Sequence, residues 1–346
     1  MPVYNIIPGM PVFLIDLYLD SRYLMIMKIH LPNSAFLGNI DGTFLSHLDM
    51  SSQDSLDITL NEQWVSLHPA VLAMTASLGL TVRPEKIRVG ALTAKSAIYP
   101  VRMGLFRLLN IPCDKTITEH APEGRFIPLT QIKTSDGLNR FITDMIPILH
   151  RPDEPEHAKT IGYIISELVG NVLEHASAEH GAILCAQYYT KTNRIGIGIA
   201  DTGFGVKTTI SRSHKADTDL DAIRLALTPG VTGTTARIGG TAQNAGAGLF
   251  FIKSIADVNR DFFVIYSGSA FYKLLKKRGE RLRLNADPFA DRHTKGNDFP
   301  YWNGAVIGVD ITLNRTREFS TLLDAIRTAY GNLKKSKADH KKLRFV

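Results

Sequence analysis

Cysteine is nearly absent from this chain: Cys113 and Cys185 are the only two in 346 residues. They stand far apart, with no CxxC pair and no Cys/His cluster. The sequence therefore offers neither a disulfide framework nor a structural zinc site, and a reducing cytoplasm is the expected location. Long hydrophobic runs are lacking too. No uncharged apolar stretch is long enough to span a bilayer, so no membrane association is expected. The N-terminal stretch MPVYNIIPGMPVFLIDLYLD has no basic start and is interrupted by Pro8, Pro11 and Asp16, which argues against a secretory leader. There is no internal repeat and no low-complexity tract. Neither sign of charge dominates: a net charge of +7 suits an anionic partner without specifying one.

What is present is material for a core. Hydrophobic residues make up 44% and charged residues 21%, the balance of a globular protein with one large or two ordinary domains. In the first third, 22–31 and 57–61 read as strands. Residues 68–80 read as a helix stopped by Gly79, and 99–111 as a helix stopped by Pro112. The expectation is an N-terminal α/β domain over 1–112. Three prolines and a glycine in 112–128 suggest a linker, 113–129. A helix is expected over 130–149. The break RPDEPE at 151–156 then supplies acids suited to the start of the next helix. Residues 316–346 read as a C-terminal helix and basic tail.

The stretch ELVGNVLEHA, 167–176, belongs to a segment of helical period. Ile161, Ile165, Leu168, Val169, Val172, Leu173 and Ala176 fall on one side; Glu167, Gly170, Asn171, Glu174 and His175 fall on the other. A solvated face would account for such a pattern. This one, however, has no Lys or Arg, and it places Gly170 mid-helix, at up to about 1 kcal/mol relative to Ala. Close packing against the backbone there would explain the glycine.

Two strands follow, 182–189 and 194 onward. In RIGIGIADTGFGV, Ile195, Ile197 and Ile199 alternate with Gly196, Gly198 and Ala200, so one face is branched and the other nearly bare. The isoleucine face is the one expected to meet helices. Asp201 closes the run on that face and needs a polar partner, because an unpaired buried carboxylate is costly. Gly203 and Gly205 then permit a tight turn. A third element, QNAGAGLFFIKSIADV, opens a helix after small residues. Free N–H groups and the positive dipole end there suit phosphate. Two more strands are expected, near 261–269 and 304–313. Each box alone is also what an ordinary turn would produce; their order and spacing make the set specific.

Taken together, the boxes resemble the superfamily of gyrase, heat-shock chaperone, histidine-kinase and mismatch-repair ATPases (GHKL, the Bergerat fold), over residues 130–315. ELVGNVLEH is similar to its N box, DTGFG to its first glycine box and NAGAGL to its second. NGAVIGVDITL resembles its Gly-Thr strand, with Ala305 in the threonine position. The resemblance implies a two-layer α/β sandwich: a mixed sheet covered by helices on one face, with ATP between them under a lid. It implies Mg²⁺ on Asn171, the adenine amino group on Asp201, and closure around the base by Gly203 and Gly205. Phosphates would lie against the backbone of Gly246, Gly248 and Leu249. Glu167 would orient or deprotonate an attacking water, and His175 would touch ribose or phosphate. The lid would run from Gly205 to Gln243. Many histidine kinases carry Lys three residues after the asparagine; here that residue is Glu174, which would repel phosphate unless it faces elsewhere.

The reaction is less determined. No histidine fits a phosphoaccepting hairpin: His150 abuts a helix break, and His68 precedes Pro69. The stretch after the last strand is too short for a transducer domain, so the gyrase and mismatch-repair readings are not expected. The basic run KLLKKRGERLRL lacks the interleaved aromatics of a nucleic-acid platform, which leaves nucleic acid only weakly supported. The sequence is nearest to stand-alone, anti-sigma-factor-kinase-like proteins. The expected partner is a protein, of STAS-like or sigma-factor-regulator type, and a homodimer stays open. The first third loosely resembles a STAS-like module. Two classes stay open: an ATPase or serine/threonine-type protein kinase using Glu167, or an ATP-gated switch; a sensor-type histidine kinase lacking its own hairpin and an ATP-gated nucleic-acid-associated ATPase are the alternatives.

Overall fold

Two sheets organise the chain in this computed structural model, which describes residues 26–50, 54–115, 124–149, 155–231, 233, 248–276, 284–313, 324 and 328. The first has three parallel strands in the order β1 (Met27–Leu31), β2 (Leu56–Leu60), β3 (Ile87–Val89). The second has seven: β4 (Phe126–Ile132), β5 (Ala182–Tyr189), β6 (Arg194–Ala200), β7 (Phe263–Gly268), β8 (Ala270–Leu274), β9 (His293–Gly296) and β10 (Trp302–Thr312). Their spatial order is β4-β5-β6-β10-β7-β8-β9. The helices are α1 (Ile40–Thr43), α2 (Pro69–Leu80), α3 (Ile98–Arg102), α4 (Leu105–Leu108), α5 (Ser135–Leu149), α6 (Pro155–Asn171), α7 (Val206–Ile210), α8 (Asp219–Ala226) and α9 (Gly248–Val258). The chain is thus mixed α/β, as expected.

Several particulars differ from expectation. The large sheet is antiparallel at every pairing rather than mixed. Its first strand, β4, starts at Phe126, inside the stretch read as linker, and the helix expected from 130 starts at Ser135. Proline at 128 misled that reading; an edge strand tolerates proline. The helix expected over 99–111 is two short helices, because Gly104 turns the backbone to φ +83°. Gly79 does not stop α2, which runs to Leu80. It is small because a β-carbon there would come within 2.6 Å of Leu109. Residues 316–346 lie outside the described residues except Asp324 and Thr328.

The alternation in β6 sets the layers. Ile195, Ile197 and Ile199 are buried with Phe141 of α5, Ile161, Ile165 and Leu168 of α6, and Ile252 and Ile255 of α9. That face is the expected helical layer. The glycine face is covered as well, so the sheet is not two-layered. Helix α2 lies on it, and every residue from Pro69 to Gly79 is buried. A helix with no polar side belongs inside a core. Here one apolar core joins α2, β1 and β2 to Ile183, Cys185, Val264, Trp302 and Val306 of the large sheet.

The small residues of that face form a row: Gly198 is paired with Cys185 on one side and Gly308 on the other. A β-carbon on Gly198 would overlap the backbone of Pro69 and Ala70, and one on Gly308 would come within 2.5 Å of Leu37. His68 caps α2 there: its Nδ1 accepts from the Ala70 N–H at 3.0 Å. Its Nε2 lies 3.5 Å from Asp310 Oδ1, which also faces Arg194 Nε at 3.4 Å. His68 is wholly buried.

Candidate functional site

Helix α6 does not end as a plain helix. Its last turn, Val172–Ala176, is π-helical and stops at Ser177, whose φ is +47°. The widened turn moves positions after Val172 out of phase with the helix before it, and π turns recur at functional sites. Two consequences follow. The Ala176 carbonyl is free to accept the Phe204 N–H at 2.5 Å, which docks the glycine turn after β6 onto the end of α6. And the paired side chains Glu174 and His175 point differently. His175 lines the pocket, whereas Glu174 does not and is 63% exposed, 3.8 Å from His175 Nε2.

The pocket lies between α6, the end of β6, the start of α9 and the strands β7 and β10. Glu167, Asn171, His175, Asp201, Gly248 and Leu249 all line it, with Phe204 at its mouth. The apolar wall is formed by Leu168, Val172, Val206, Ile210, Ile265 and Ile307. Gly203 and Gly205 are not in the lining but shape it. A β-carbon on Gly203 would overlap the Ala176 carbonyl, so the docking just described requires glycine. Gly205 caps α7 and lies against Ser267. Gly246 and the last part of the expected lid, 232 and 234–243, lie outside the described residues; its first part, 205–231, contains α7 and α8. The reason expected for Gly170 is not met: a β-carbon there meets nothing within 4 Å, so no close packing by the described residues explains it.

Asp201 is 1% exposed. Its expected polar partners are backbone groups: Oδ1 accepts from Gly203 N at 2.8 Å and Oδ2 from Ala305 N at 3.2 Å. Burial pushes the carboxyl up to about 7, against the opposing pull of those two N–H donors. Glu167 is also raised, first by burial and then by the charge of Glu174. Its carboxylate sits against the first residue of α9, where a β-carbon on Gly248 would overlap Oε2.

Sequence reasoning missed the residues that hold this arrangement. Ser267 Oγ accepts from Val206 N at 2.9 Å and donates to Gly304 O at 2.6 Å, tying α7 to β10. Gly304 has φ +92°, and a β-carbon there would overlap Asp201. The NG dipeptide within the first residues of β10, Asn303-Gly304, is a legible backbone signal; Ser267 carries none.

The lining carries hard oxygen donors of the kind that a divalent cation takes. No group of three or more His, Cys, Asp or Glu able to hold a metal exists among the described residues. That excludes an all-protein cage among them but suits Mg²⁺, which keeps its waters and needs one or two hard oxygens. The Asn171 amide carries such an oxygen. Among the described residues, the lining includes no Lys or Arg. No family model matches this sequence, and no curated protein matches it.

Proposed function

We propose that the chain is an ATP- and Mg²⁺-binding protein of the GHKL, histidine-kinase-like class, with its Bergerat-type α/β layer over about 130–315. In this reading it serves as an ATP-dependent switch or protein kinase toward a protein partner. The observation that carries the reading is convergence. Three segments separated by tens of residues place Glu167, Asn171, His175, Asp201, Gly248 and Leu249 around one pocket.

The assignments follow from chemistry. Asp201, buried at the closed end, accepts the exocyclic amino group of adenine while Ile265 and Ile307 flank the ring. Asn171 would supply an oxygen for Mg²⁺, which when bound offsets the charge of the phosphates. The α9 N-terminus, with Gly248 and Leu249, presents N–H groups to them. Glu167 is the candidate general base. Its raised pKa brings it nearer the value at which a carboxylate both holds and releases a proton near neutrality. His175 stands at the rim, where ribose or phosphate would pass.

Purified protein with labelled ATP, with and without the protein encoded beside it, tests the reading. Hydrolysis, autophosphorylation or transfer would make it an enzyme. Tight binding without turnover would make it a switch acting through two conformations of different affinity. Absence of any bound nucleotide would sink both. For location, no helix among the described residues is long and apolar enough to cross a membrane.

A further inference from the structure

Asp201 is held at four points. Its N–H donates to Ala305 O at 3.0 Å, and its carboxylate accepts from Gly203 N and Ala305 N. Its own carbonyl accepts from the indole Nε1–H of Trp302 at 2.9 Å. Three of the four bonds come from 302–305, the irregular start of β10, where the register with β7 shifts. Such bulges re-aim side chains.

Trp302 is the only side chain among those partners, and it comes from the other side of the sheet. It is wholly buried and belongs to the apolar core that includes β1, β2 and α2. Its ring is tilted against Tyr266, with centroids 6.1 Å apart. The Asp201 carboxylate belongs to the pocket on the opposite face. One rigid two-ring side chain thus spans the two.

We propose that Trp302 is a positioning residue for the pocket: its indole, anchored in the core on the far face, fixes the Asp201 peptide and thereby aims the carboxylate at the ligand. This deepens the nucleotide reading and rests on Asp201 being the group that reads the ligand. The physical reason is local. A buried carbonyl deprived of its donor turns to find another, because leaving it unpaired is costly. Rotation of that peptide moves the Cα that carries the carboxylate.

Two measurements test the proposal. Trp302→Phe keeps an aromatic ring and deletes the donor. By calorimetry its affinity for MgATP should be about five- to tenfold weaker than that of the unaltered protein. Equal affinity overturns the proposal. The second measurement needs neither a ligand nor altered Trp302. The chain has two tryptophans, and Trp64 is 57% exposed. Trp64→Phe therefore leaves Trp302 as the sole indole. Its emission should titrate with pH, and the transition should vanish when Asp201→Asn is added, although Glu167 and His175 still face the pocket. A titration that Asp201→Asn leaves unchanged overturns the proposal. If the unaltered protein binds no MgATP, the nucleotide reading falls, and the emission titration alone decides the role of Trp302.

Discussion

Gly198 and Ala70 meet backbone to backbone: a β-carbon on the glycine would overlap the alanine nitrogen. The bare face of β6 is therefore the seat of a buried helix. Glycine in a strand interior weakens the strand, so it marks a place where another backbone approaches closely.

Gly198→Ala should destabilise the protein by about 3 kcal/mol, the upper range for overpacking, because the clash is with main chain that cannot swing aside. Chemical denaturation would show a lower midpoint. An unchanged midpoint would mean that α2 does not rest on this strand.

Gly170→Ala should act in the opposite direction. The position is helical and open around the β-carbon, so alanine should add up to about 1 kcal/mol of stability. A fall in thermal midpoint would point to a neighbour absent from the described residues.

Nucleotide affinity should depend on Asp201 ionisation. An amino group needs an acceptor, so affinity should drop about tenfold per pH unit below about 7 and level off above it. The unliganded protein should show the opposite sign. A carboxyl whose folded pKa is raised contributes stability at low pH that is lost as pH climbs from its unfolded value through about 7. Asp201→Asn should flatten the binding profile and weaken affinity by about ten- to a hundredfold. Asparagine has one acceptor oxygen, so its NH₂ must face the N–H of Gly203 or Ala305. Calorimetry giving the same affinity for both proteins would remove Asp201 from the site.

Glu167→Gln should separate enzyme from switch. If Glu167 handles a proton, turnover falls by about a hundredfold or more while nucleotide is retained. If turnover is immaterial, the response to the partner survives. Loss of nucleotide binding together with turnover would instead assign Glu167 a binding role.

Much of the site was legible because its boxes encode local backbone demands. DTGFG needs glycine where the turn touches Ala176, and the amphipathic pattern of α6 puts Glu167 and Asn171 one turn apart. The π turn was not legible, since no residue type in VLEHA forces it; it sorts His175 inward and Glu174 outward through the docking of Phe204. The isoleucine–glycine alternation indicated a helical layer on one face. It gave no sign that α2, more than a hundred residues earlier, fills the other. Trp302 and Ser267 act through contacts made only once β10 inserts between β6 and β7. That insertion is non-local and leaves no periodic trace.

A sheet clothed on both sides has no broad surface left for self-association. Strand-mediated assembly is confined to its two rims, and both are guarded. On β4, the Leu129 N–H is already taken by the Met103 carbonyl. On β9, four residues carry an exposed lysine, Lys295, a combination that discourages further strand addition.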